Sequence, residues 1–192
     1  MADESSPKRR VHPEMLVGIS AVLIGVCALA VSLYETSLMR EEQRAAVVPL
    51  LELGRSYYVD PEEFDSEKWR LLLHAENVGI GPARVLDFRV TVDGVARPTW
   101  NAAMQALIGR DAPVLYGQST INGRTIPPDR LVSMFDLTSI DLAPQINAEF
   151  DRLDFEACFC SVFGDCWTTR YSTFGVSSPV EECKPSDDSF RE

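Results

Sequence analysis

The pattern of hydrophobic and polar positions changes character along the chain. From Met15 to Tyr34 (MLVGISAVLIGVCALAVSLY) twenty consecutive residues carry no charge and no proline. At 1.5 Å per residue a helix of that length covers about 30 Å, the thickness of a bilayer core, and a helix satisfies its own backbone polar groups. The run predicts a transmembrane helix over 15–34 behind a cytoplasmic tail at 1–14. Buried core helices seldom stay charge-free for so long. A cleaved signal peptide competes, since Lys8-Arg9-Arg10 suit its basic region and Ala28-Leu29-Ala30 its cleavage pattern. The apolar run continues past that point through Val31, Leu33 and Tyr34, which favours an uncleaved anchor. Cys27 follows Gly25-Val26, a poor context for lipid attachment. Beyond the run, residues 35–46 hold strong helix formers and no breaker, a charged helical stalk that ends before Pro49.

The period then shifts from helix to strand. Val47 to Tyr58 and Trp69 to Glu76 read as strands, with Pro49 at an edge position and an acidic loop, Asp60 to Glu67, between them. Val85 to Val92 alternates, placing Val85, Asp87, Arg89 and Thr91 on one face and Leu86, Phe88, Val90 and Val92 on the other. Asp93-Gly94 marks a tight hairpin. Trp100 to Ile108 reads as a short helix closed by Gly109. Thr120 to Thr138 reads as two strands around Pro127-Pro128, and Asp141 to Arg152 as a second short helix with Asp141 as its cap. A last hairpin joins Leu153–Phe163 to residues 167–174 through Gly164-Asp165. About seven short strands with turn signals between them predict a β-sandwich over 47–175, followed by an acidic tail at 176–192 that is mobile beyond Cys183. The fold class expected is mainly β: one N-terminal transmembrane helix and stalk, then an immunoglobulin-like sandwich with one or two short helices.

Charge narrows the partners. The net charge is −11, and the acidic and basic residues of the first fourteen positions cancel, so the imbalance falls after Tyr34. Such a domain is repelled by phosphate, which excludes nucleic acid and disfavours anionic lipid surfaces. Three basic residues precede the helix (Lys8, Arg9, Arg10) and two follow it (Arg40, Arg44). That bias sets the N-terminus in the cytoplasm and the domain outside the inner membrane.

Cysteines point the same way. Cys27 lies in the apolar run; Cys158, Cys160, Cys166 and Cys183 cluster in the last hairpin and tail. An even count in an exported domain reads as two disulfides. Cys158 and Cys160 share one face of a strand and do not bond each other. Cys160 with Cys166 is the shorter path and leaves Cys158 for Cys183; the other pairing stays open. A four-thiolate zinc site is the rival, with spacing unlike the usual knuckles. Phe155, Phe159 and Phe163 share a face and are expected in the core, with Trp167 and Tyr171 nearby.

Within the helix, Gly18, Ala21, Gly25, Ala28 and Ser32 form a stripe of small residues, a candidate seam for self-association or a partner helix. Asn77, Gly79, Gly81 and Pro82 mark a sharp structural loop. Catalytic patterns are missing. The two histidines, His12 and His74, form no ligand or dyad spacing, although His74 meeting Cys160 in the fold is conceivable. Gly79 and Gly81 precede a proline, not a helix, so they cradle no phosphate. The carboxylates of Asp60 to Glu67 lack calcium-loop spacing and read as a solvated loop.

The loop Asn77-Val-Gly-Ile-Gly-Pro-Ala83 is similar to loops of immunoglobulin-like accessory modules in bacterial surface proteins. The segments Ser32-Leu-Tyr-Glu35 and Cys158-Phe-Cys-Ser-Val-Phe-Gly-Asp-Cys-Trp167 give the layout a wider resemblance, to uncharacterised bacterial single-pass membrane proteins with an extracytoplasmic β domain. That resemblance carries no assigned activity, so no functional residue transfers. The expectation is a non-enzymatic envelope domain that needs no cofactor and binds no metal. Its partners are membrane lipid through the helix and either its own copy or another membrane protein. The alternative is a ligand-binding or sensory module using the loops near Asn77–Arg84.

Overall fold

The structure, a computed structural model, describes residues 13–59, 68–111, 116–173 and 175–191. The apolar run lies inside one continuous helix, α1, Pro13–Ala45. Pro13 opens it, where a missing N–H is no loss. Its 33 residues extend about 50 Å, and the helix runs on without a break through the charged residues 35–45. Every described side chain from Glu14 to Ala45 is exposed. The hydroxyls of Ser20, Thr36 and Ser37 donate back to the carbonyls of Val17, Ser32 and Tyr34 at 2.7–2.8 Å. The helix is long and apolar enough to cross a membrane.

The second compact unit, Ala46–Glu192, is a mainly-β domain of two antiparallel sheets. The first sheet runs β1-β2-β7-β5, made of β1 Leu51–Val59, β2 Trp69–Asn77, β5 Gly117–Gln118 and β7 Arg130–Ser139. The second runs β10-β9-β8-β3-β4, made of β3 Ala83–Val92, β4 Val95–Arg97, β8 Leu153–Cys160, β9 Cys166–Arg170 and β10 Ser178–Val180. A two-residue strand, β6 Thr125–Ile126, also pairs with β3. After it, Pro127-Pro128 carries the chain from the second sheet to the first. Strands β4, β5 and β10 add to the elements the sequence predicts; each is only two or three residues long, too short to show a period.

Alternation explains the core. In β2, Leu71, Leu73, Ala75 and Asn77 face inward; in β8, Phe155, Ala157 and Phe159 do. Trp100, Ala103, Met104 and Leu107 form the buried face of α2, Trp100–Ile108. Thr99 caps that helix by accepting from the Ala102 N–H at 3.2 Å, and Gly109 ends it at φ 67°. The Asp93-Gly94 turn has φ 53° and 77°, the paired positive angles of a tight hairpin that matches strand twist.

The structure corrects five expectations. In β3, a register shift between Val85 and Asp87 makes Leu86 an extra residue. Val85 therefore joins Phe88, Val90 and Val92 in the core, and Leu86 leaves it. The second short helix, α3, spans only Leu142–Ala148, with a 3₁₀ turn at Phe150–Arg152. Asp141 precedes α3 without a side-chain bond; Ser139 Oγ accepts from the Leu142 N–H instead, at 3.1 Å. Phe163 is exposed, because β8 ends at Cys160 and the face pattern ends with it. The C-terminal segment is packed rather than mobile: Phe190 is 3% exposed and sits in the core. The segment belongs to the same compact unit as the sandwich.

Candidate functional site

The outer face of the second sheet concentrates the domain's chemistry. Alternation along β8 turns Asp154, Glu156, Cys158 and Cys160 outward, opposite the core residues. Register then aligns Arg89 of β3, Glu156 of β8 and Arg170 of β9 in one row. Arg89 Nη2 donates to Glu156 Oε1 at 2.7 Å, and Arg170 Nε donates to Oε2 at 3.0 Å, with a further contact from Arg170 Nη2. Glu156 holds the Arg170 guanidinium in its charged form, raising its pKa. Nearby, Arg152 grips Asp93 with two bonds, at 2.9 and 2.6 Å, and Glu149 with a third at 3.1 Å. The Arg152 bond keeps the Asp93 carboxyl below its usual range. Between these pairs lies an open cleft of about 510 Å³ lined by Arg89, Asp93, Arg152, Asp154, Glu156 and Arg170. Its three arginines are each committed to carboxylates, so the cleft is an ion-pair ladder rather than an anion trap.

The two cysteine pairs lie farther along the same face. Cys158 and Cys183 sulfurs are 2.00 Å apart, and those of Cys160 and Cys166 are 2.06 Å apart, the pairing the shorter path favours. Cys160 and Cys166 are direct neighbours across β8 and β9. All four are buried, and Leu86 and Val180 pack against them as a second, small apolar cluster. Leu86 reaches that cluster because the β3 bulge turned it outward. Cys27 is exposed on α1 and unpaired.

The C-terminal segment closes over this face. β10 pairs with β9, Cys183 ties the chain to β8, and the next turn is held by a buried carboxylate, Asp87. Asp87 Oδ1 accepts from the Ser186 N–H at 3.4 Å and from the Ser189 hydroxyl, and Arg89 Nε lies 3.3 Å from Oδ2. Phe190 then donates its N–H to the Phe88 carbonyl, and Asn122 Nδ2 donates to the Phe190 carbonyl at 2.6 Å. The edge of β3 is open there, between the stretches paired with β6 and β4. Sequence reasoning missed this strap. The available signal was a single aromatic, Phe190, in an otherwise polar tail seven residues after a cysteine.

Asn77 holds the predicted loop together. Its side chain is fully buried. Nδ2 donates to the carbonyls of Gly81 at 2.9 Å and Ile126 at 2.8 Å, while Oδ1 accepts from the N–H groups of Gly79 at 3.1 Å and Leu50 at 3.3 Å. Val78 and Ile80 pair with the carbonyls of Leu50 and Val48. A Cβ on Gly79 would meet Leu50 N at 2.2 Å, and one on Gly81 would meet Val47 O at 1.8 Å. Only glycine allows that approach. Pro82 follows directly and leads into β3. The loop's polar groups are thus turned inward on backbone rather than outward toward a ligand.

His74 and Cys160 do not meet: His74 is on β2 of the first sheet, and Cys160 is on β8 of the second. His74 packs over Gly54, where a Cβ would lie 2.4 Å from its Nε2. Burial pushes its pKa down, against the opposing charge of Glu76. Phe155 stacks on Tyr171 and Phe159 on Trp167, as core contacts. Gly18, Ala21, Gly25, Ala28 and Ser32 all lie on α1 and are exposed. The acidic run Asp60 to Glu67 and His12 fall outside the described residues. The chain matches no protein-family model and no curated protein.

Proposed function

We propose that this chain is a single-pass, membrane-anchored module with no catalytic role, whose β domain works outside the inner membrane by contacting another membrane protein or its own copy. The carrying observation is α1: an 18-residue window of it has mean hydropathy 2.6, and the helix buries none of it. An isolated helix that is apolar all round has no stable place in water and suits a bilayer. Within the apolar run the Ser20 hydroxyl donates to the helix's own Val17 carbonyl, which is what a hydrocarbon environment demands. The paired cysteines support an oxidising, extracytoplasmic setting for the domain, in agreement with the flanking basic residues.

The contact surface within the membrane is the stripe of Gly18, Ala21, Gly25, Ala28 and Ser32. Neither Gly18 nor Gly25 has a neighbour within 4 Å of a built Cβ, so a second helix has room to approach. Gly25→Leu is the test, read in a membrane two-hybrid assay for helix association. A weakened signal supports the seam, and an unchanged signal removes it.

A further inference from the structure

We propose that the two disulfides form one thiol–disulfide exchange site, served by a protein dithiol of the redox-shuttle class. Four cysteines on one sheet face would be ordinary staples if the bridges were apart. Here they are adjacent: the sulfurs of Cys160, Cys166 and Cys183 all lie within 4.8 Å of one another. Cys183 is therefore a neighbour of both sulfurs of the other bridge, while Cys158 falls outside that group. Cys158 instead lines an open cleft of mixed charge, with Arg89 and Lys184 beside the carboxylates of Asp87, Glu181 and Glu182. It is also the most exposed of the four, at 9%. One bridge thus has a cysteine that lines a cleft, Cys158, and another, Cys183, whose sulfur lies within 4.8 Å of both sulfurs of the second bridge.

That arrangement defines an order of events. A thiolate of the dithiol attacks Cys158 Sγ from the cleft; a mixed disulfide forms, the Cys158–Cys183 bond breaks, and Cys183 leaves as thiolate. Cys183 attacks Cys166 Sγ; a Cys166–Cys183 bond forms, and Cys160 leaves as thiolate and takes up a proton. Cys166 is the partner in this scheme because Cys183 Sγ lies 3.9 Å from the carbonyl oxygen of Trp167, the residue after Cys166 on β9. The second thiol of the reductant then resolves the mixed disulfide and frees the Cys158 thiol. The reductant leaves as its own disulfide, having given two electrons and two protons. The protein ends with one bridge, Cys166–Cys183, and two thiols, Cys158 and Cys160. These two point the same way from one strand, a spacing that keeps them from closing on each other. At the end the strap is again tethered through Cys183, now to β9 instead of β8.

The experiment uses the full chain in detergent micelles at neutral pH without denaturant. Limiting dithiothreitol is added, thiols are trapped with N-ethylmaleimide, and bridges are mapped by peptide mass. The expected singly reduced species carries the Cys166–Cys183 bridge with the maleimide mass on Cys158 and Cys160, besides the Cys27 thiol that is free throughout. Singly reduced chains that hold only Cys158–Cys183 or only Cys160–Cys166 overturn the proposal. A second arm needs no reductant: Cys158→Ser leaves Cys183 without its partner. A fraction of that variant joined through Cys183 to the hairpin, with Cys160 alkylated, supports exchange. A variant in which Cys183 stays wholly alkylated beside an intact Cys160–Cys166 bridge contradicts it.

Discussion

Phe190 donates its backbone N–H to the carbonyl of Phe88 at 2.7 Å, and the two rings meet edge to face with centroids 5.6 Å apart. The contact makes the C-terminal segment part of the core, since the same ring also lies 4.9 Å from Trp100. Phe190→Ala should therefore destabilise the domain by about 3 kcal/mol, the low end of the cost for truncating a buried phenylalanine. Phe163→Ala, at an exposed turn position, should stay within about 0.5 kcal/mol. Urea denaturation of the two variants checks the contrast; equal stabilities would mean the strap is not part of the folded core.

Asn77 gives a second prediction. Alanine there leaves two carbonyls and two N–H groups short of partners, a loss on the order of 3 kcal/mol for buried polar groups. Asn77→Asp should be worse, because a carboxylate would face the carbonyls of Gly81 and Ile126 in a buried site. Burial raises the folded pKa of that new acid, so its penalty grows as pH rises from 4 to 7. Denaturation midpoints of both variants across that range test the sign.

His74 supplies the third. Burial lowers its folded pKa below the unfolded value of about 6.5. The unfolded chain then binds more protons than the folded one, so stability is full above that value and falls as pH drops through it toward the folded pKa. His74→Gln should flatten the profile between about pH 7 and 5. Gly54→Ala should act on the same profile by displacing the ring toward water, and an unaltered profile in both variants would exclude His74 as its source.

Much of the architecture is readable in the residues, and the misses share a cause. The charge-free run of α1 is a local property, as is the alternation of β8. The i, i+2 spacing of Cys158 and Cys160 limits their partners before any fold is known. Val85 and Leu86 read on the wrong faces because a bulge is decided by the register of β8, not by β3's own pattern. The strap reads as a solvated tail because its composition is polar. Its anchorage depends on a gap in the edge of β3 and on Asp87, both set by tertiary structure. Asn77 announces a turn, but the four backbone groups it serves come from segments as distant as Ile126. The side-by-side bridges are likewise invisible in spacing alone, because Cys183 arrives through β10.

Membrane anchoring with export of the β domain is tested most directly by carbonate extraction combined with thiol labelling in intact cells. An anchored, exported chain stays full-length in the washed membrane pellet, and Cys158, Cys160, Cys166 and Cys183 take up maleimide only after a reductant is added. Intact chain in the soluble fraction, or ready labelling of those four cysteines without reductant, would contradict it.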